Sequence, residues 1–359
     1  MQTTHIALAL GKKMLWTRGG SLLLLMVFPL CMGRYTVTEG SIGDLGTMII
    51  SNDKGEKVEV VTDFGGRVES LYLLSRNNGT LRNVLLGHNG DSNAIKDNKY
   101  WKGMILIPYA NRIAYGKYTF FNDSHTLPLN DPPRQNSLHG FMPGKVLEVR
   151  ETGEDDSRGT FTAVTHIGND EPGYPFSLDV RITYTLSRYG LDIDVSATNV
   201  NGDGTPLPFY MGWHPYFNCT AYTSYVMFDP FTDWAHVELN ANMDPTGITK
   251  KSTIFNGSTP IGGSLEEPTF YDDEFKSLDD PQESYVRLTD TASGQTVRLW
   301  FDDSFPFVHI YTGSSTTFHE DGIAMEPMSG MADAYNNHDG LSTISDGETW
   351  HGSFGVYVE

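Results

Sequence analysis

The sequence predicts an all-β domain made of two or more packed antiparallel sheets. Three observations support that expectation. Apolar and polar residues alternate with a period of two in short runs, and clusters of Gly, Asn, Asp and Pro separate the runs. No segment reads as a long amphipathic helix, a coiled-coil heptad or an internal repeat.

In chain order, residues 1–33 stand apart. Lys12, Lys13 and Arg18 occur there without an acidic residue, an apolar run follows at 22–32, and Gly33 precedes Arg34. A basic region, an apolar region of about 7–15 residues and a small residue make up the order of a secretory signal peptide. The apolar run is shorter than the roughly 20 residues that span a bilayer. The expectation is a signal peptide over 1–33, cleavage near Gly33, and a secreted, extracellular protein free of the membrane afterwards. A retained anchor is the alternative.

Residues 34–359 are expected to form one domain. Strand-like runs fall at 47–50, 58–62 and 160–165. The clearest lies at 177–186, where Leu178, Val180, Ile182, Tyr184 and Leu186 alternate with Asp179, Arg181, Thr183 and Thr185. A turn at 187–190 leads to Leu191, Ile193, Val195 and Ala197 alternating with Asp192, Asp194 and Ser196, which predicts a hairpin. Further runs lie at 286–289, 296–301, 308–312 and 354–358. The polar stretches 152–159 and 201–205 suit hairpin loops. Residues 256–284 form a longer excursion of the kind that often carries function.

Composition narrows the function. The chain has 359 residues, 39% apolar and 19% charged, enough for a full core and against intrinsic disorder. Its 25 Lys and Arg against 45 Asp and Glu give a net charge of -20, which loss of the leader would deepen to about -23. Such a charge repels polyphosphate and anionic lipid, so nucleic acid and membrane surfaces are poor partners. Beyond residue 33 the one cysteine is Cys219, which excludes an internal disulfide, and no Cys/His spacing suggests zinc. Sequons at Asn78, Asn122, Asn218 and Asn256 fit a glycoprotein on a secretory route, although sequons also arise by chance. A glycan at Asn218 would crowd the aromatic motif beside it, so that sequon is expected to be unused or to point away.

Five places embed ionisable residues in apolar or aromatic surroundings. In the segment Ile105-Leu106-Ile107-Pro108-Tyr109-Ala110-Asn111-Arg112-Ile113, Arg112 offers directed donors for hydroxyls or a carboxylate, or else forms a structural ion pair. His139 in Ser137-Leu138-His139-Gly140-Phe141 and His214 in Met211-Gly212-Trp213-His214-Pro215-Tyr216-Phe217 are each either proton carriers or satisfied core histidines. The aromatics around His214 also suit the apolar face of a pyranose. Phe270-Tyr271-Asp272-Asp273-Glu274-Phe275 is an acidic turn able to accept bonds from vicinal hydroxyls, or a solvated loop. Glu326, in Ile323-Ala324-Met325-Glu326-Pro327-Met328, closes an apolar strand, where burial could raise its pKa to that of a useful base; pairing with an arginine is the alternative.

Taken together and in this order, Asn-Arg, Leu-His-Gly, His-Pro-Tyr-Phe, Asp-x-x-Phe and Glu-Pro before Asp-Ala-x-Asn resemble the aldose 1-epimerase family, the galactose mutarotases. The resemblance runs from about Gly65 to the carboxyl end. His214-Pro215-Tyr216-Phe217 and Asn111-Arg112-Ile113 are its most specific pieces. It implies a large antiparallel β-sandwich of the galactose mutarotase-like type, with a sugar cleft on one sheet. It also implies that Glu326 is the general base and His214 the general acid, and that Asn111, Arg112, His139 and Asp272 bind substrate, with Asp273 the substitute if the acidic turn is displaced by one. Met328 stands where many members have glutamine, and Phe141 where a second glycine commonly follows Leu-His-Gly. Both departures bear on sugar preference.

The implied activity is interconversion of α and β anomers of free hexoses such as glucose and galactose. A base takes the proton of the anomeric hydroxyl while an acid protonates the ring oxygen, the ring opens, and it recloses on the other carbonyl face. The expected partner is a monosaccharide and the expected assembly a monomer or weak homodimer. No metal or other cofactor is expected, in keeping with the lack of a zinc motif, a P-loop or a dinucleotide fingerprint. A non-catalytic carbohydrate-binding protein would need neither proton-transfer residue. Glycoside hydrolysis by Glu326 with Asp272 or Asp273 would leave both histidines unexplained. Hexose 6-phosphate epimerisation would call for a basic cluster where these motifs show only Arg112.

Overall fold

The alternation at 177–199 builds the central hairpin of one of two eight-stranded sheets. In the computed structural model, which describes residues 34–359 apart from 133, 265, 280 and 314–321, strands Leu178–Ser187 and Gly190–Asn199 pair antiparallel from Leu178↔Asn199 to Ser187↔Gly190. Gly190 closes the turn at φ +106, and a Cβ there would lie 2.1 Å from the Val356 carbonyl, so the position requires glycine. The expected leader, residues 1–33, lies outside the described residues.

Across the first sheet the order is Glu148–Glu154, Arg158–Ile167, Leu178–Ser187, Gly190–Asn199, Thr349–Val358, Gln295–Asp302, Glu283–Asp290 and Ser224–Phe228. The second runs Pro245–Lys251, Trp234–Leu239, Asp272–Ser277, Phe307–Tyr311, Gly322–Met328, Gly212–His214 and Met104–Leu106, with Tyr216–Asn218 also on Gly322–Met328. A five-stranded sheet runs from Tyr35–Ile42 to Leu81–Asn83. Every ladder is antiparallel, as hairpin-linked strands allow. This is the all-β class the alternation predicts.

The two large sheets face each other across an apolar core. Trp213 of the second sheet stacks on Phe354 of the first, with ring centroids 5.3 Å apart, and Phe275 meets Phe228 edge-on at 5.0 Å. Because side chains alternate along a strand, the neighbours Glu274 and His214 point to the opposite face of the second sheet.

One expectation needs correction. The acidic stretch in the excursion 256–284 is not a turn: Asp272–Ser277 is a strand inside the second sheet, paired on both sides. Three successive acids disfavour a strand by propensity. Tertiary pairing overrides this because the outer face of the strand lines a polar cleft rather than a second core.

Candidate active site

A row of ionisable side chains crosses the second sheet. Glu274 lies directly opposite His309, and His309 directly opposite Glu326. On the next strand Gly212 pairs with Met328, and the same register two residues on brings His214 to Glu326, with Nε2 3.3 Å from Oε1. Glu274, His309, Glu326 and His214 thus occupy four adjacent strands, all buried. Burial pushes the Glu326 carboxyl up to about 8 and the Glu274 carboxyl up to about 7. The same burial, helped by the charge of His309, brings His214 down to about 3. Neither Nδ1 of His214 nor Oε2 of Glu326 has a hydrogen-bond partner, so both buried atoms remain available to a ligand.

The opposite wall is assembled from two short segments. Arg112–Ile113 pairs with Ser137–Leu138, which brings Asn111 and Arg112 beside His139. Asn111 and His139 both adopt left-handed backbone, φ 52 and φ 65, a conformation uncommon outside glycine and concentrated at functional sites. The His139 amide donates to the Asn111 carbonyl at 3.0 Å, and the Asn111 amide donates to His139 Nδ1 at 3.1 Å. A backbone N–H can only donate, so Nδ1 is the acceptor and the neutral ring carries its proton on Nε2. Burial holds His139 well below the usual histidine range, with the charges of His214, Arg112 and His309 adding to the effect. His139 is therefore a neutral N–H donor.

A directed chain of bonds links this wall to the sheet. Arg112 Nη1 donates to Asn111 Oδ1 at 3.1 Å, which turns the Asn111 amide nitrogen toward His309 Nδ1, 3.1 Å away. His309 Nε2 then donates to Asp272 Oδ1 at 2.9 Å. Burial alone would raise the Asp272 carboxyl, but the His309 bond and the charges of His309, Arg112 and Arg134 outweigh it and bring it down to about 2. Burial likewise opposes a charge on His309, yet its bond to Asp272 and the carboxylates of Glu326, Asp272 and Glu274 raise its proton affinity. The Asn111 amide opposes this rise by donating to the nitrogen that a second proton would occupy. Arg112 also pairs with Asp131 at 2.9 Å, so its ion-pair and cleft roles hold together.

These groups line a cleft of about 570 Å³ whose walls include Trp101, Tyr216, Tyr271 and Tyr311. Trp101 tilts over His139 with centroids 5.0 Å apart, and Tyr216 stacks on His214 at 5.4 Å. Apolar ring faces around fixed donors and acceptors suit a pyranose. His139, His214 and Glu326 offer three donor atoms within 4.8 Å of one another, a spacing that could hold a metal ion. The hydrogen bond into His139 Nδ1 argues for another use, because it leaves Nε2 protonated and so a donor rather than a ligand.

Of the residues expected from sequence, Asn111, Arg112, His139, His214, Asp272 and Glu326 all line this one cleft. Asp273 points elsewhere and pairs with His236 at 2.7 Å. Met328 packs against Gly212, and neither it nor Phe141 is among the described residues that line the cleft. The Asn218 side chain donates to the Asn83 carbonyl and is likewise not among those lining residues. Sequence reasoning missed His309, although Phe307-Val308-His309-Ile310-Tyr311 repeats the signal that marked His214, a histidine within an apolar run. It also missed Asp131 and Arg134, which lie in a polar loop with no such signal, and Glu274, which looked like one acid among three.

A family model described as aldose 1-epimerase matches residues 47–356. Among curated relatives, an uncharacterized Escherichia coli protein is 28% identical over 71% of this chain and 78% of its own length. The galactose mutarotase of Mus musculus is 27% identical over 78% of this chain and 82% of its own. Among solved structures, a galactose mutarotase-like protein from Clostridium acetobutylicum superimposes with a TM-score of 0.77 at 18% identity, covering 91% of this chain and 99% of that one. A galactose 1-epimerase from Lactobacillus acidophilus gives 0.70 at 19% identity, over 90% and 98%.

Proposed function

The chain belongs to the aldose 1-epimerase family of carbohydrate epimerases, and from that premise we propose that it interconverts the α and β anomers of free hexoses such as glucose and galactose. The observation that carries this is the buried His214–Glu326 pair, 3.3 Å apart on the cleft floor. With Glu326 raised and His214 lowered, the pair holds one exchangeable proton over a wide pH range. In the form with carboxylate and imidazolium, Glu326 takes the proton of the anomeric hydroxyl while His214 protonates the ring oxygen. The C1–O5 bond breaks and C1 becomes the aldehyde carbon. Rotation about C1–C2 presents the other carbonyl face, the ring oxygen returns its proton to His214 as it attacks C1, and Glu326 reprotonates the new hydroxyl. Two proton transfers balance each half of the reaction, with no electron or group left to be carried.

The remaining residues are assigned to holding the sugar. His139 donates from Nε2 and Arg112 from its guanidinium to the ring oxygen side and neighbouring hydroxyls. Asn111 sets the direction of both, His139 through its backbone amide and Arg112 through its side-chain oxygen. Asp272, ionised and oriented by His309, accepts from hydroxyls farther round the ring.

Polarimetry of freshly dissolved α-D-glucose and α-D-galactose tests this. Wild type should accelerate the approach to equilibrium, and Glu326→Gln and His214→Asn should each lose about 10² to 10⁴ of that acceleration. Sugar binding with the spontaneous rate unchanged would favour a non-catalytic binding protein. Release of new reducing ends from an oligosaccharide would point to hydrolysis.

A further inference from the structure

A second hollow adjoins the cleft. It has a volume of about 440 Å³ and shares Trp101 with the cleft as a common wall. His139 and Gly140 explain how one chain segment serves both. They are consecutive left-handed residues, φ 65 and φ 69, and a Cβ on Gly140 would lie 2.1 Å from the Ile107 carbonyl. The resulting sharp reversal sends His139 into the cleft and the next side chain, Phe141, into the wall of the hollow.

The lining of the hollow has a definite chemistry. Trp101 and Phe141 are half-buried aromatics, each leaving part of its ring exposed. Lys145 and Glu171 are paired with each other, so they bring no net charge. Asn98 Oδ1 is buried without a hydrogen-bond partner, a state that costs stability unless a donor arrives. Aromatic faces, no net charge and an unmet acceptor fit a neutral polyhydroxyl ligand.

We propose that this hollow is a second saccharide subsite, which takes the residue next to the reducing end of a short oligosaccharide while the reducing sugar occupies the cleft. The proposal rests on the cleft being the place where a reducing-end sugar is epimerised. It also gives Phe141, half-buried in the wall of the hollow, a ligand to contact.

The test compares one monosaccharide, glucose, with the reducing disaccharides maltose, lactose and melibiose. Mutarotation rates and calorimetric titrations are measured for wild type, Phe141→Ala and Asn98→Gly. Wild type should bind and turn over at least one disaccharide with a KM no higher than that for glucose. Phe141→Ala should raise that disaccharide's KM about fivefold and leave kcat/KM for glucose within about twofold. Phe141 also packs on Tyr109, so Asn98→Gly supplies a variant that leaves this core contact alone and keeps a residue suited to the left-handed backbone at position 98, φ 48. It should show the same split. Equal losses for glucose and disaccharide, or glucose turnover with every disaccharide rejected, would overturn the subsite. If no sugar is turned over, the epimerase reading fails by itself, and calorimetry still decides the subsite by whether Phe141→Ala weakens disaccharide binding selectively.

Discussion

Nε2 of His214 stands 3.3 Å from Oε1 of Glu326, and both groups are buried. Burial penalises charge on either one, so in the ligand-free cleft they favour a neutral carboxylic acid beside a neutral imidazole. Moving one proton between them yields the carboxylate and imidazolium that the proposed reaction requires. Both forms have the same number of protons.

The pH profile should therefore be a bell set by the pair. With Glu326 near 8 and His214 near 3, the one-proton state persists between those limits. Above about 8 the pair loses the proton that His214 must donate, and below about 3 Glu326 has no basic form. Mutarotation rates from pH 3 to 10 should show a broad plateau with an alkaline fall near 8. A rate still rising at pH 9 would contradict the assignment.

Glu326 should weaken the fold as it ionises. Its carboxyl is at about 8 in the native state against an ordinary glutamate value of 4.5, so the folded chain binds more protons in that window and stability falls as pH rises through it. Glu326→Gln removes the penalty. Its gain in Tm over wild type should be small at pH 5 and larger at pH 9, in the same variant that loses mutarotation.

His309 acts through its neighbours. His309→Phe would leave Asp272 Oδ1 and Asn111 Nδ2 without the bonds they now make, at a cost of about 1–3 kcal/mol of stability. The expected kinetic signature is a KM raised about tenfold with kcat less affected, because the wall assigned to substrate binding loosens while the proposed His214–Glu326 proton-transfer pair stays in place. His309→Gln, which can still donate, should recover part of the loss.

The two aspartates of the acidic strand should separate cleanly. Asp272 faces the cleft, whereas Asp273 pairs with the partly exposed His236. Asp272→Asn should raise KM about tenfold or more. Asp273→Asn should leave kinetics within about twofold and stability within about 1 kcal/mol.

Export is a separate proposal, carried by the order Lys12, Lys13, Arg18, the apolar run 22–32 and Gly33. Expression in a eukaryotic secretory host followed by N-terminal sequencing should find the mature chain beginning near Arg34. A product in the medium that still begins at Met1 would refute cleavage. Asn78, Asn122 and Asn256 are exposed and should be open to glycans, whereas Asn218, tied to the Asn83 carbonyl, should not be occupied.

Strand period and turn chemistry are local properties, and they could be read without coordinates. The hairpin at Leu178–Ser187 and Gly190–Asn199 is the clearest case, since one buried and one wetted face impose strict alternation. The strand Asp272–Ser277 could not be read this way, because its outer face lines a cleft and its acids imitate a turn. The site divides along the same line. His214 and Glu326 are visible as polar residues within apolar runs, a pattern with few uses other than a functional site or a satisfied core pair. Nothing local shows that His309 joins them, that Asp272 rather than Asp273 faces the cleft, or that His139 keeps its proton on Nε2. Those outcomes depend on ladder register and on one backbone amide, which bring residues spread over 111–326 into hydrogen-bonding range. Residue types and periodicity determine which chemistry is possible and which faces are buried. Only the pairing of strands far apart in sequence decides which groups meet, and burial at that meeting place sets their proton affinities.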